Sequence, residues 1–345
     1  MILSAIHTSN RFLPRRKHVP SKLPFFNPYH DQNFIQVIIQ FFYRMGLLLT
    51  GNISLSDLAS DEIQILVLVG ISASSALVGT FLVLRRMTML ANSLSHTILM
   101  GIVLAFVYAR AMSSLDSHSS IPPMQLMLVA SLLMGFLTAF LTEFLTKIGR
   151  LQEDASTGLV FTSLFALGVI LLTILTKDAH IGTEAVMGNA DALHPDDVPW
   201  VYYILGINVV LFFIFFKEYM ITTFDPALAK ALGFSTIFFN YLLMAQVSAT
   251  SIGAFRAVGV LLVLAFMTGP VLTARLVTHD LKKLLLLSVG FGALASIFGV
   301  AITRHILSVY GIALSTSGVV VCSIAVQYLM VILVRYFKNI EVKSS

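Results

Sequence analysis

Apolar residues in this chain gather into long runs separated by short polar breaks. That pattern predicts helices long enough to cross a lipid bilayer, which takes about 20 mostly apolar residues. Runs at 65–84, 124–146, 158–176, 199–216, 257–278, 284–303 and 316–337 come close to or meet that length. Two more, 94–109 and 236–252, are shorter or more polar. Residues 33–50 are interrupted by Arg44 and two glutamines, and read either as a first span or as an amphipathic helix at the interface. The expectation is an all-α, polytopic transmembrane bundle of about nine spans, within a range of roughly eight to ten. It divides the chain into 1–60 (basic amino-terminal tail plus the ambiguous helix), 61–337 (transmembrane domain) and 338–345 (a short tail).

Small residues are frequent inside the runs, as at Gly70, Ser72, Ala73, Ser74 and Ser75, and again at Gly290, Gly292, Ala293, Ala295, Ser296 and Gly299. Lipid gives little hydrophobic drive between helices, so close backbone packing has to supply it. These residues therefore predict a tight bundle, not a site. Gly269 and Pro270 predict a bend within 257–278.

Composition agrees. The chain of 345 residues is 57% hydrophobic and 11% charged, against about 25% charged in a soluble domain. Its mean hydropathy is +0.89. The net charge of +5 matters less than its placement. Arg85, Arg86, Lys147, Arg150, Lys217, Lys230, Arg275, Lys282, Lys283, Arg335, Lys338 and Lys343 fall in one alternating set of breaks and the tail. The other set holds only Arg110, Lys177, Arg256 and Arg304, so the count is 12 against 4. The positive-inside rule makes the first set cytoplasmic, and the basic amino terminus joins it if 33–50 spans. This alternation excludes a nucleic-acid patch.

Residues 1–32, basic and broken by Pro14, Pro20, Pro24 and Pro28, lack a signal-peptide core and read as a cytoplasmic tail, a misassigned start being the alternative. Residues 177–198 form the most acidic stretch, which either attracts cations or a partner or is a solvated face.

One cysteine, Cys322, excludes an intramolecular disulfide and a cysteine-based metal site. There is no GxxxxGK[ST], so any dependence on ATP must come through another chain. No HExxH or GxSxG occurs either, and the chain reads as no enzyme.

Two stretches carry candidate chemistry. Asn92 and His96 are four residues apart and share one helical face. A polar pair facing hydrocarbon would be costly, so it should face protein or a watery path. Imidazole suits zinc, copper, iron and nickel, and amide or carboxylate oxygen suits harder ions. The competing reading makes Asn92 a helix cap and His96 a side chain bonded to a neighbour. The second stretch runs from Phe224 to Gly233. Asp225 is placed as an N-cap, Pro226 as the first helical residue and Gly233 as the stop. A helix of about two turns is unstable alone in water and calls for a docking partner.

At these stretches the chain resembles the permease subunits of the bacterial zinc/manganese/iron ABC importers. Arg85-Arg86-Met87-Thr88-Met89, Asn92-Ser93-Leu94-Ser95-His96 and Gly101 match one motif of that family. Phe224-Asp225-Pro226, Ala229 and Gly233 match its coupling segment. Val258-Gly259-Val260-Leu261-Leu262-Val263, Pro270 and Ala274-Arg275 match a third, and Ser317-Gly318 match weakly. The likeness covers roughly 60–337 and departs at Asn92, where the family has Asp, and at Met100, where it has Pro.

The resemblance implies a multi-pass protein of the bacterial inner membrane with its carboxyl terminus in the cytoplasm. Asn92 and His96 would line the metal path. Phe224, Asp225, Pro226, Ala229 and Gly233 would couple to a separate ABC ATPase subunit. Further partners would be a second permease subunit, an extracytoplasmic metal-binding protein and membrane lipid, with no nucleic acid. The pair would be either a homodimer or a heterodimer, the latter favoured by Asn92. The cargo would be a divalent ion (manganese, zinc or iron), with no permanently bound cofactor. The alternative is a gradient-driven secondary metal-ion transporter, which calls for charges deep in the spans and for internal repeats. Glu143, about a turn from a span end, is a poor candidate for such a charge, and no repeat is evident.

Overall fold

The structure is a computed structural model that describes residues 34–50, 57–112, 124–175, 190, 191 and 193–344. Among these residues the chain forms helices and no strand. In chain order they are α1 Phe34–Leu49, α2 Ser60–Leu84, α3 Thr88–Met112, α4 Met124–Lys147, α5 Glu153–Leu175, α6 Asp197–Ile214, α7 Phe216–Phe224, α8 Pro226–Ala231, α9 Thr236–Val258, α10 Val260–Val277, α11 Leu281–Tyr310 and α12 Thr316–Ser344. Six of them, α2, α6, α9, α10, α11 and α12, are long and apolar enough to cross a membrane among the described residues. The expectations for 1–32 and for most of 177–198 lie outside the described residues.

Helix α2 is the axis of the bundle. It is apolar around its whole circumference, with Ile63, Val67, Leu68, Ile71, Val78 and Phe81 all buried, which is how a core helix reads. Helices α6, α9, α10 and α11 pack around it. Small residues let them approach. A methyl group added at Gly79 would overlap the Met267 carbonyl of α10. One added at Gly292 of α11 would lie 3.1 Å from the Ser72 side chain.

Several of the polar residues this packing buries are bonded within it. Thr80 Oγ1 donates to the Ala76 carbonyl at 2.7 Å, and Ser72 Oγ to Val69 at 3.0 Å. Asn208 Nδ2 of α6 donates to Ser74 Oγ and Thr250 Oγ1, each at 2.7 Å, which ties α6, α2 and α9 together in the interior. A second group, α3, α4 and α5, packs together around Met134, Val160 and Leu164 and joins the first through α9 and α10.

Several boundaries differ from the sequence expectation. Residues 253–256, expected to separate two spans, are helical, so α9 runs to Val258 and Arg256 lies inside it. Gly259 alone makes the corner to α10, at φ 82° and ψ 164°, a conformation essentially limited to glycine. Helix α3 extends over 88–112, beyond the expected 94–109, its polar start partly enclosed by the bundle, with Thr88 and Asn92 half-buried and Ser93 buried. The expected bend leaves α10 a continuous helix through Pro270. Helix α12 continues through the expected tail as far as Ser344.

The two ends of α2 carry its charged contacts. At the start, Glu62 is buried, accepts from the Ala59 backbone at 2.8 Å and pairs with Arg44 of α1. Its neighbour Asp61 lies 3.5 Å from Arg304 of α11. Thus α1, whose Val37 and Phe41 are buried, is fastened to the end of α2 opposite Arg85 and Arg86. At about 24 Å, α1 is shorter than a bilayer core.

Arg44→Ala would remove the Arg44 guanidinium from beside the Glu62 carboxylate, which is 1% exposed. We expect a loss of about 3 kcal/mol, measured as a lowered thermal midpoint in detergent and early proteolysis within 34–50. Gly79→Ala is expected to cost about 2 kcal/mol, because backbone must move to admit the methyl group; the same melt reads it.

Candidate functional site

Helix α2 passes into α3 through a tight corner. Met87 N donates to the Leu82 carbonyl at 2.9 Å and Arg86 N to Val83 at 3.2 Å, with Arg86 at φ 61°. This is a Schellman cap built on a non-glycine residue. It delivers the chain directly into α3, whose second turn holds Asn92, half-buried. His96 follows one turn later on the same face, and its side chain lies outside those described. The neighbouring line, Ser93 and Thr97, is buried, and Thr97 bonds to α4. The Asn92–His96 line is rotated from it by about 100°. Among the described residues no three His, Cys, Asp or Glu side chains come together.

The second stretch folds as a compact hairpin. Asp225 Oδ1 accepts from Leu228 N at 2.9 Å, and Pro226 is the first residue of α8. Gly233, at φ 84°, ends the turn, with Gly233 N donating to Lys230 at 3.1 Å and Phe234 N to Ala229 at 2.9 Å. Ser235 Oγ then caps α9 at Phe238 N, 3.2 Å away. Ala229 is buried against the bundle. Phe224, Leu228 and Leu232 are exposed, and they recur at intervals of four residues. This apolar ridge runs from Phe224, the last residue of α7, through Leu228 on the six-residue α8 to Leu232 just after it.

Two layers hold the hairpin to α2. The first is aromatic. Phe81 of α2 stacks on Phe212 of α6 at 4.9 Å between centroids, and Tyr219 of α7 lies 5.3 Å from Phe81 and 5.6 Å from Phe239 of α9. Tyr219 is fully buried, and its hydroxyl donates to Gln246 Oε1 at 2.6 Å. The second layer, one turn on, is polar. Arg85 Nη2 donates to Thr222 Oγ1 at 2.9 Å, Arg85 Nε to Thr223 Oγ1 at 3.0 Å, and Arg85 Nη1 to Asn240 Oδ1 of α9. Burial lowers the Arg85 pKa to about 10, well above neutrality, so the guanidinium stays charged.

Beside Asn240, Tyr241 Oη donates to Glu143 Oε2 of α4 at 2.7 Å, and Lys147 pairs with the same carboxylate. A cleft of about 210 Å³ lies here, lined by Met87, Thr142, Glu143, Asn240, Tyr241 and Met244.

The structure thus brings Phe224, Asp225, Pro226, Ala229 and Gly233 into one motif. It places Asn92 and His96 apart from them, on α3. Of the residues around the base of the hairpin, Thr222, Thr223, Asn240 and Tyr241 have no role in the sequence reading, Arg85 enters it only as a cytoplasmic charge and part of a family motif, and Glu143 only as a charge near a span end. The available signal was a Thr-Thr pair just before Phe224 and an arginine ending an apolar run.

The chain matches known proteins over most of its length. It is 39% identical over 303 residues to the "Probable metal transport system membrane protein" of Chlamydia muridarum, covering 88% of this chain and 93% of the relative. It is 37% identical over 246 residues to the manganese transport system membrane protein MntD of Bacillus subtilis, covering 68% and 79%. Among solved structures, PsaBC from Streptococcus pneumoniae in complex with Fab superposes with a TM-score of 0.67 at 26% identity, over 85% of this chain and 95% of that one. The model of the ABC 3 transport family matches residues 62–335, from the buried carboxylate that opens α2 to the last turns of α12. A match of that extent makes the chain a member of the ABC 3 transport family.

Proposed function

We propose that this chain is the membrane-spanning permease subunit of an ATP-binding-cassette importer for divalent metal ions, manganese and zinc foremost. The observation that carries the reading is the α8 hairpin. It is a capped two-turn element whose apolar ridge, Phe224, Leu228 and Leu232, is exposed among the described residues. An exposed apolar ridge rimmed by polar residues marks a docking surface, and a separate ATPase subunit is its partner. The family membership and the transport proteins among the relatives support the cargo.

In this reading residues 61–337 are the permease domain. Helices α3, α4 and α5 cross the bilayer with the six apolar ones, giving nine spans. The end bearing Arg85, Lys147, Lys230, Lys282 and Arg335 faces the cytoplasm of a bacterial inner membrane, with the carboxyl terminus on that side. A second permease subunit completes the path, and an extracytoplasmic binding protein delivers the ion to the opposite face. Asn92 and His96 offer the cargo an amide oxygen and an imidazole, a set that suits transient binding. The missing acidic donor comes from the second permease, which favours a heterodimer. ATP-driven closure of the ATPase rocks the bundle between outward-open and inward-open states, which must differ in affinity for the ion.

Leu228→Asp places a charge on the ridge and leaves the Asp225 cap and buried Ala229 intact. The ATPase is expected to be lost from the purified complex; full retention would sink the docking assignment. In reconstituted liposomes, His96→Ala should lower Mn²⁺ uptake at least about tenfold, equivalent to about 1.4 kcal/mol, while Asn92→Asp keeps uptake. Wild-type uptake by His96→Ala would remove the pair from the path.

A further inference from the structure

We propose that Arg85 is the positioning residue that transmits movement of the α7–α8 hairpin to the α2–α3 corner, and so to the Asn92–His96 line. The inference rests on the proposed docking of an ATPase at α8. It goes further in naming the route by which that docking reaches the membrane interior.

The geometry is a bracket. Thr222 and Thr223 come just before α8, and Asn240 comes just after it. One guanidinium bonds to all three. The hairpin is therefore closed at its base by a side chain that belongs to neither of its arms. That side chain is rooted at the C-cap of α2, the most enclosed of the six long apolar helices. A planar fork with five donors can engage several acceptors in fixed directions, which a lysine ammonium cannot.

On the α2 side the bracket leads straight to the cargo line. Arg85 is followed by Arg86 and Met87, whose backbone bonds form the Schellman corner, and α3 starts at Thr88. Nothing slack lies between the guanidinium and the turn that holds Asn92. On the hairpin side the aromatic layer of Phe81, Phe212, Tyr219 and Phe239 gives α7 and α9 a common fulcrum one turn away. A push on α8 must then either break three hydrogen bonds or carry the α2–α3 corner with it. The three acceptors are neutral oxygens, so holding Arg85 here does less for the fold than pairing with a carboxylate would. A linkage role accounts for that arrangement.

The test uses the whole complex, with ATPase, both permease subunits and binding protein, in liposomes. It reads Mn²⁺ entry and phosphate release together. Arg85→Gln is expected to keep the ATPase bound and hydrolysing, while ions moved per ATP fall about tenfold, within the usual range of coupling between sites. Arg85→Lys keeps the charge without the fork and should remain uncoupled. Lys282→Gln removes an exposed charge on the same face, on α11 and away from the bracket, and should leave the ratio unchanged.

An unchanged ratio in Arg85→Gln, a parallel fall of uptake and hydrolysis, or full recovery with Arg85→Lys would overturn the proposal. If Arg85→Gln fails to assemble, Asn240→Ala removes one leg of the bracket from an exposed position. A fall in its ratio of about twofold or more supports the linkage, and a wild-type ratio overturns it. Failure of the docking reading shows separately, as retention of the ATPase by Leu228→Asp.

Discussion

Close backbone contact around α2 is the constraint on which the rest of the molecule depends. In lipid there is no water to drive helices together, and every backbone group must be satisfied within the protein. Helix α2 meets the first demand with Gly79 against Met267 and Ser72 against Gly292 and the second with its own helical ladder, and the Ser72 and Thr80 hydroxyls donate back to their own helix. Because four helices share this one partner, a displacement of α2 cannot be absorbed locally. Its ends are fastened differently. The start is gripped by carboxylate–arginine pairs to α1 and α11, and the finish by neutral acceptors on α7 and α9. The first arrangement suits an anchor, and the second suits a contact that can be remade.

The proposed path and the proposed docking helix are separated in the chain and in space. The elements that join them are polar side chains at helix ends. Asn240 and Tyr241 are consecutive residues on α9, yet they reach different partners, Arg85 on α2 and Glu143 on α4. The first turns of α9 therefore touch both halves of the bundle. A change in the set of α9, which begins just after the hairpin, is felt at the α2–α3 corner and at the cleft beside Thr142 together.

Much of this was legible in the sequence, and the reasons are local. Apolar runs are written in consecutive residues, so the nine long helices from α2 to α12 could be placed, with ends off by up to seven residues, while the short α7 could not. Asp225, Pro226 and Gly233 spell out a short capped helix through chemistry confined to ten residues, and the observed caps are those bonds. What could not be read depends on who neighbours whom. A polar helix start such as that of α3 looks like a loop until Ser93 is seen buried within the bundle. Residues 253–256 look like a break until Gly253 is seen packed on Ile204 of α6. Arg85 counts equally well as a topogenic charge or as a bracket, and only its three acceptors, 137, 138 and 155 residues away, decide. The full surroundings of His96 belong to this class too, since a ligand set assembled between helices leaves no spacing rule in one of them.

The single-residue corner at Gly259 has a further consequence. With no spacer between α9 and α10, neither helix can rotate about its axis or slide along it independently of the other, so they form one mechanical lever with two faces. One face touches the hairpin and the other lies against α2. An epitope tag or reporter domain spliced at this position would sever the lever, although its place at the end of two hydrophobic segments makes it look like an ordinary loop suitable for insertion.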